Sequence, residues 1–192
     1  MEEELEQRRT RGVIKIVLFG PESTGKTTLA QQLASHYGTF WVPEYMREYL
    51  QRKWDKQQLT CEPEDLLPIA KGQMLLENEA AAKANDLLFC DTNLLELVVY
   101  SRAYYDETVD PRLLKHALKA QYDLYFLTYI DVPWVQDDLR DRPKDREEMF
   151  ARFKRALDEN ELPYHLLQGD LQERFQTAVK IIDQLKTQQI EF

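Results

Sequence analysis

Apolar residues along this chain gather in short runs separated by longer mixed stretches. The runs are VIKIVLFG (13–20), TFWVP (39–43), DLLFCD (86–91), DLYFLTYID (123–131) and YHLLQG (164–169). They show little polar alternation, which marks strands buried on both faces and hence a parallel sheet. The stretches between them are long enough for crossover helices. Helix starts are expected near Gly25, Glu44, Pro63, Asn93, Pro111, Pro133, Arg146 and Asp170. Several carry a proline at a first turn or an Asp or Asn cap. Five strands with helices on both faces predict a three-layer α/β sandwich. The polar segment MEEELEQRRTRG, residues 1–12, reads as a short helical or frayed lead-in, and residues 13–192 as one domain.

The first run ends in GPESTGKT, residues 20–27, which matches G-x-x-x-x-G-K-[ST]. A strand-like run precedes it and the helical pattern TTLAQQLASHY follows, the context that motif requires. Gly20 and Gly25 let the backbone curl until successive N–H groups point at phosphate oxygens. A helix starting near Gly25 adds the positive end of its dipole. Lys26 can reach β- and γ-phosphates, and the Thr27 hydroxyl can ligate Mg²⁺. Glu22, Ser23, Thr24 and Thr28 complete the predicted ATP-binding loop.

Charge and composition narrow the reading. The formal charge is −9 and no long Lys/Arg run is present, which argues against a nucleic-acid partner. The two cysteines, Cys61 and Cys90, form no CxxC pair, so neither zinc nor a disulfide framework is expected. Isolated thiols fit a reducing cytosol. No apolar run reaches transmembrane length and the lead-in is no signal peptide. A cytoplasmic protein without membrane partners is expected; a homo-oligomer is open. The base-reading N/T-K-x-D and switch D-x-x-G signatures of GTPases are absent, and 192 residues are too few for an AAA machine with its extra lid domain.

Candidate chemistry clusters at the ends of the runs. Asp91 closes the third run in LLFCDTN, at the strand edge that faces the ligand crevice of an open α/β sheet. It can hold Mg²⁺, accept a proton, or simply start the next helix, a role that suits Asn93 better. Glu44 closes the second run in WVPEYMREY and shares a helical face with Arg47 and Glu48. It can act as base, bind a sugar, or merely favour a helix dipole. Trp41, Tyr45, Tyr49, Trp54, Tyr100, Tyr104 and Tyr105 lie near these positions in sequence order. Such aromatics either pack together or form a stacking pocket, which would favour a cationic ring. The predicted substrate side is therefore Trp41, Glu44, Tyr45, Arg47, Tyr49, Asn93 and Tyr104. VPWVQDDLRDRPKDREEMF, residues 132–150, carries Arg140, Arg142 and Arg146 among acidic neighbours. These form solvated pairs, or the segment at about 132–147 is a lid whose Arg140 and Arg142 close over ATP.

The motifs GPESTGKTTLAQQLA, PEYMREYL, CDTNLLELVVYSRAYY, YDLYFLTYIDVPWVQDDLRDRPKDREEMF and PYHLLQGDLQERFQTAVKIID together resemble the ribosylnicotinamide kinase domain of NadR-type proteins. They also resemble its stand-alone relatives, often filed as AAA-like ATPases. The resemblance runs from about residue 13 to about residue 185. It implies transfer of phosphate from ATP to nicotinamide riboside, giving nicotinamide mononucleotide for NAD synthesis. It also implies the P-loop fold of nucleoside and nucleoside-monophosphate kinases, a five-stranded parallel sheet in the order 2-3-1-4-5. By resemblance, Lys26, Thr27 and Asp91 fall on the phosphate and Mg²⁺ site, Glu44 and the helix after it on the substrate side, and Arg140 and Arg142 on the lid. Only about twelve residues precede the first strand, so the adenylyltransferase and helix-turn-helix activities of NadR-type proteins are not expected here. Two alternatives stay open: a P-loop kinase for another nucleoside or nucleotide, and a regulatory ATPase acting through a protein partner. Whether Glu44 or Asp91 is the base is also open.

Overall fold

A computed structural model of the chain describes residues 2–135 and 145–190. Each apolar run forms a strand: β1 (Ile14–Phe19), β2 (Phe40–Val42), β3 (Leu87–Asp91), β4 (Leu124–Thr128) and β5 (Tyr164–Leu167). All pairings are parallel and the order is β2-β3-β1-β4-β5. The central strand β1 is buried along its whole length. Its register sets Leu18 beside Asp91 of β3 and Phe19 beside Leu127 of β4. The ends of these strands therefore open into one crevice.

The helices are α1 (Lys26–Tyr37), α2 (Tyr45–Gln57), α3 (Leu66–Ala81), α4 (Leu94–Tyr104), α5 (Pro111–Lys119), α6 (Arg146–Glu159) and α7 (Leu171–Ile190). Gly25, Glu44, Asn93, Asp110, Asp145 and their neighbours start them much as the sequence predicts. Pro63 opens only a single 3-10 turn, Pro63–Asp65, before α3. The helix expected at Pro133 is not found over residues 132–135. There the backbone spends its polar groups elsewhere: Val135 N–H donates to Ser23 Oγ and Val132 O accepts from Arg146.

Side chains alternate across the sheet, as strand geometry requires. Ile16, Leu18, Phe89 and Phe126 pack on Leu29 and Leu33 of α1 and Ala178 and Ile182 of α7. Val17, Phe19, Cys90, Tyr125 and Leu127 face the opposite layer, where α3 to α6 gather. Phe153 of α6 is fully buried there, edge-on to Phe19 at 4.9 Å and to Tyr100 of α4 at 5.5 Å. The lead-in forms a 3-10 turn, Glu3–Leu5, and buries Leu5 in this second layer. Beneath it, Lys15 of β1 and Glu77 of α3 form a buried pair at 2.9 Å, with Tyr122 and Gln7 also donating to Glu77. Among the described residues no helix is long and apolar enough to cross a membrane.

Phe153 fixes α6, and hence Arg146 at its start, to the sheet. Phe153→Ala is expected to cost about 3–5 kcal/mol in urea denaturation, as for other buried Phe truncations. A loss below ~1 kcal/mol would mean that α6 is not seated as described.

Candidate functional site

The GPESTGKT loop joins β1 to α1 at the mouth of the crevice. Gly20 has no room for a side chain: a Cβ would sit 2.5 Å from Thr128 Oγ1. Gly25 takes φ +82° to turn the chain into α1. Thr24 Oγ1 reaches both Pro21 O and Thr128 Oγ1 at 2.8 Å, which fixes the curl from within.

Lys26 is buried, and its ammonium donates to Gly20 O at 2.7 Å and Pro21 O at 3.1 Å. Burial pulls its pKa down, but the carboxylates of Glu96, Glu44 and Asp91 outweigh that and leave it raised. Thr27 Oγ1 donates to Asp91 Oδ2 at 2.5 Å. The other oxygen of Asp91 is buried and has no hydrogen-bond partner among the described residues. Burial pushes the Asp91 carboxyl up to about 6, against the pull of Lys26 and with the push of Glu44. Thr92 then takes φ +82°, a strained turn for a β-branched residue, tied down by its N–H to Leu18 O. A hydroxyl beside a half-used carboxylate, next to a phosphate loop, is a hard oxygen pair that suits Mg²⁺. On that test Thr27 and Asp91 fit the metal.

A cavity of about 290 Å³ runs from the loop into the space between α2 and α4. Loop residues 22–28 with Glu44 and Arg47 line its polar side. Tyr100, Tyr104 and Tyr105 form an aromatic wall, and Met46, Leu50 and Leu66 an apolar floor.

The sequence profile of AAA_28, an AAA domain family, matches residues 15–174. The chain belongs to this AAA domain family. It is 26% identical over 177 residues to the trifunctional NAD biosynthesis/regulator protein NadR of Salmonella typhimurium, and equally to that of Escherichia coli K12. The match covers 91% of this chain and 43% of those proteins, so the chain spans less than half the length of these relatives. Among solved structures, NadR in complex with NR superposes with a TM-score of 0.78 at 22% identity, over 91% of this chain and 52% of that one. Deoxyadenosine kinase from M. mycoides superposes with a TM-score of 0.67 at 14% identity, over 89% of this chain and all of that one. The fold of this AAA domain chain is thus that of P-loop nucleoside kinases, in the strand order the sequence led us to expect.

The structure brings the predicted loop residues, Glu44, Arg47, Asp91 and Tyr104 together in this AAA domain chain. It sends others elsewhere. Trp41 packs with the α1–α7 layer, because alternation along β2 gives Val42 the opposite face. Tyr45 lies against Gly72 of α3, where a Cβ would meet its ring at 2.1 Å. Tyr49 donates to Asp65 at 3.0 Å. Positions 45 and 49 share one stripe of α2, while 46, 47 and 50 face the cavity. Asn93 is a cap: Oδ1 accepts from Leu95 and Glu96 N–H, and Nδ2 donates to Tyr125. Arg140 and Arg142 lie outside the described residues.

Sequence reasoning missed two buried charges. Glu96, an acid inside the apolar LLELVV run, sits 3.5 Å from Lys26 Nζ. That run was the available signal. Arg174 of α7 donates to Thr24 O at 2.6 Å, Tyr129 O at 2.9 Å and Gly169 O at 2.9 Å, and pairs with Asp131. It bolts the loops after β1, β4 and β5 together. Arg146 works from the other side, reaching Val132 O at 2.9 Å and Ser23 O at 3.3 Å.

Arg174→Ala leaves those carbonyls without their donor. A loss of at least about 2 kcal/mol in denaturant stability is expected. An unchanged midpoint would show that water satisfies them equally well.

Proposed function

We propose that this chain transfers the γ-phosphoryl group of ATP to the 5′-hydroxyl of a nucleoside, and that the nucleoside is nicotinamide riboside, giving nicotinamide mononucleotide for NAD synthesis. The observation that carries the reading is a single cavity joining the phosphate loop to a wall of three tyrosines, with Glu44 between them. The likeness to NadR, one structure of which holds NR, supports it.

Phosphoryl transfer is mostly positioning and charge stabilisation. Loop amides, the α1 dipole and Lys26 hold the phosphates. Thr27 and Asp91 would hold Mg²⁺, which when bound offsets charge on the phosphate oxygens. Asp91 is already engaged by Thr27 and does not line the cavity. Glu44 does line it, so Glu44 accepts the proton of the attacking hydroxyl. The nicotinamide ring of the riboside is cationic. Tyrosine faces attract such a ring, and Glu22 and Glu44 on the same cavity add the complementary charge.

Glu44→Gln is expected to lower kcat roughly 10²–10⁴-fold with little change in the KM for ATP. If kcat survives and only the acceptor KM rises, Glu44 is a sugar contact and not the base. The substrate is tested by mass-resolved product formation from ATP and Mg²⁺ with nicotinamide riboside, uridine, cytidine, adenosine and thymidine. Nicotinamide riboside should dominate, and Tyr104→Ala should raise its KM roughly 5- to 30-fold, a loss of ~1–2 kcal/mol of ring contact. Equal use of neutral nucleosides would reassign the acceptor. ATP hydrolysis with no acceptor phosphorylated would replace the kinase by a regulatory ATPase.

A further inference from the structure

Glu96 sits in the first turn of α4, and only 1% of its surface is exposed. Neither carboxylate oxygen has a hydrogen-bond partner among the described residues. Its ion-pair contact is Lys26, at 3.5 Å. Lys26 in turn gives its short hydrogen bonds to carbonyls of its own loop, Gly20 and Pro21. Those carbonyls and Glu96 form a berth for the ammonium. An ammonium that serves a triphosphate has to leave this berth for phosphate oxygens. The departure strips a buried carboxylate of its counter-charge, and buried carboxylates without a cation bind a proton instead.

We propose that Glu96, wherever it is ionised, is the resting counter-charge of the loop lysine, and that ATP, by drawing Lys26 onto its phosphates, leaves that ionised fraction to take up a proton from solvent. The inference rests on the reading that Lys26 serves ATP. It makes Glu96 a positioning residue, acting through Lys26 and not on the substrate. Protonation also removes a negative charge from beneath the incoming triphosphate.

The groups facing Glu96 act in one direction once Lys26 has moved. Lys26 comes from α1, Glu44 from the start of α2, Asp91 and Thr92 from the end of β3, and Tyr100 from the next turn of α4. Glu22 of the loop faces Tyr100 in turn. Burial pushes the Glu96 carboxyl up to about 8. Lys26 is the strongest influence holding it down, while Glu44 and Asp91 push it further up. Withdrawing Lys26 raises it again, as does the charge of the nucleotide itself. The bound state therefore holds more protons than the free state. ATP affinity then falls as pH rises from the free-state midpoint of Glu96 towards the higher midpoint of the complex. Binding takes up the fraction of a proton that the free carboxyl lacks at the working pH.

The test is calorimetric titration of the full chain with ATP and Mg²⁺, without acceptor, over a series of pH values from neutral to alkaline, each in two buffers of different ionisation enthalpy. The wild type should take up a fraction of a proton per ATP within that series, and Glu96→Gln should take up none. The affinity of Glu96→Gln should also lose its fall with rising pH. Binding without proton uptake in the wild type, or equal uptake in Glu96→Gln, overturns the proposal while leaving the nucleotide site intact. Failure of the wild type to bind ATP at all removes the nucleotide reading, and this inference with it. If Glu96→Gln does not fold, the infrared difference spectrum of the wild type decides. Adding ATP should produce the C=O band of a protonated carboxylic acid, and its absence overturns the proposal.

Discussion

Lys26 brings a positive charge into the protein interior, and the crevice is arranged around that fact. An ammonium buried alone would lose its proton. Here it keeps it because carboxylates converge from three separate elements: the cap of α2, the end of β3 and the first turn of α4. That convergence requires β3 to lie directly beside β1, with Asp91 in register with Leu18. It requires α4 to start immediately after β3, which the strained Thr92 and the Asn93 cap bring about. The parallel order of the sheet and the electrostatics of the loop are one constraint seen at two scales.

A second buried charge holds the same loop from the far side. The carbonyls after β1, β4 and β5 all turn towards the Arg174 guanidinium, which has a fixed fork of donors to meet them. With Arg174 below and Arg146 above, the backbone of Ser23 and Thr24 is gripped by cations from α6 and α7. The phosphate side of the crevice is therefore rigidly framed. The acceptor side is built differently, from side chains of α2 and α4 around open space. In the proposed reaction the backbone would position the phosphates, while the choice of acceptor would rest with a few side chains.

This division explains what the sequence could and could not tell. Strands and the phosphate loop are local patterns, so apolar runs and GPESTGKT located them within a few residues. Strand ends such as Asp91 and Glu44 inherited their place from the crevice rule for α/β sheets. The aromatic side chains had no such anchor. Trp41 lies on a three-residue strand, too short for its alternation to reveal which layer each side chain joins. Tyr45 and Tyr49 carry the spacing of a helix face, but only the position of Gly72 on α3 decides that this face packs inward. Glu96 and Arg174 were hidden for a related reason. The ammonium that meets Glu96, and Thr24, Tyr129 and Asp131 that meet Arg174, lie far away in sequence, and a lone acid or base in a helix reads as solvated until the fold closes over it.

The charges around the cavity also say something about what it admits. Glu22 and Glu44 line the cavity with Lys26 and Arg47, and Asp91 and Glu96 act on Lys26 from outside its lining. For the buried pair Asp91 and Glu96, negative charge is costly. ATP would add to that negative charge, and the other partners in the proposed reaction move the sum the other way. Mg²⁺ at Thr27 and Asp91 would do so at the phosphates, and a cationic ring between Glu44 and the tyrosines would do so at the acceptor. A proton at Glu96 would do so beneath the lysine. A neutral nucleoside would leave the acceptor carboxylates unanswered, and specificity of this kind comes from the penalty on the wrong ligand as much as from contacts to the right one.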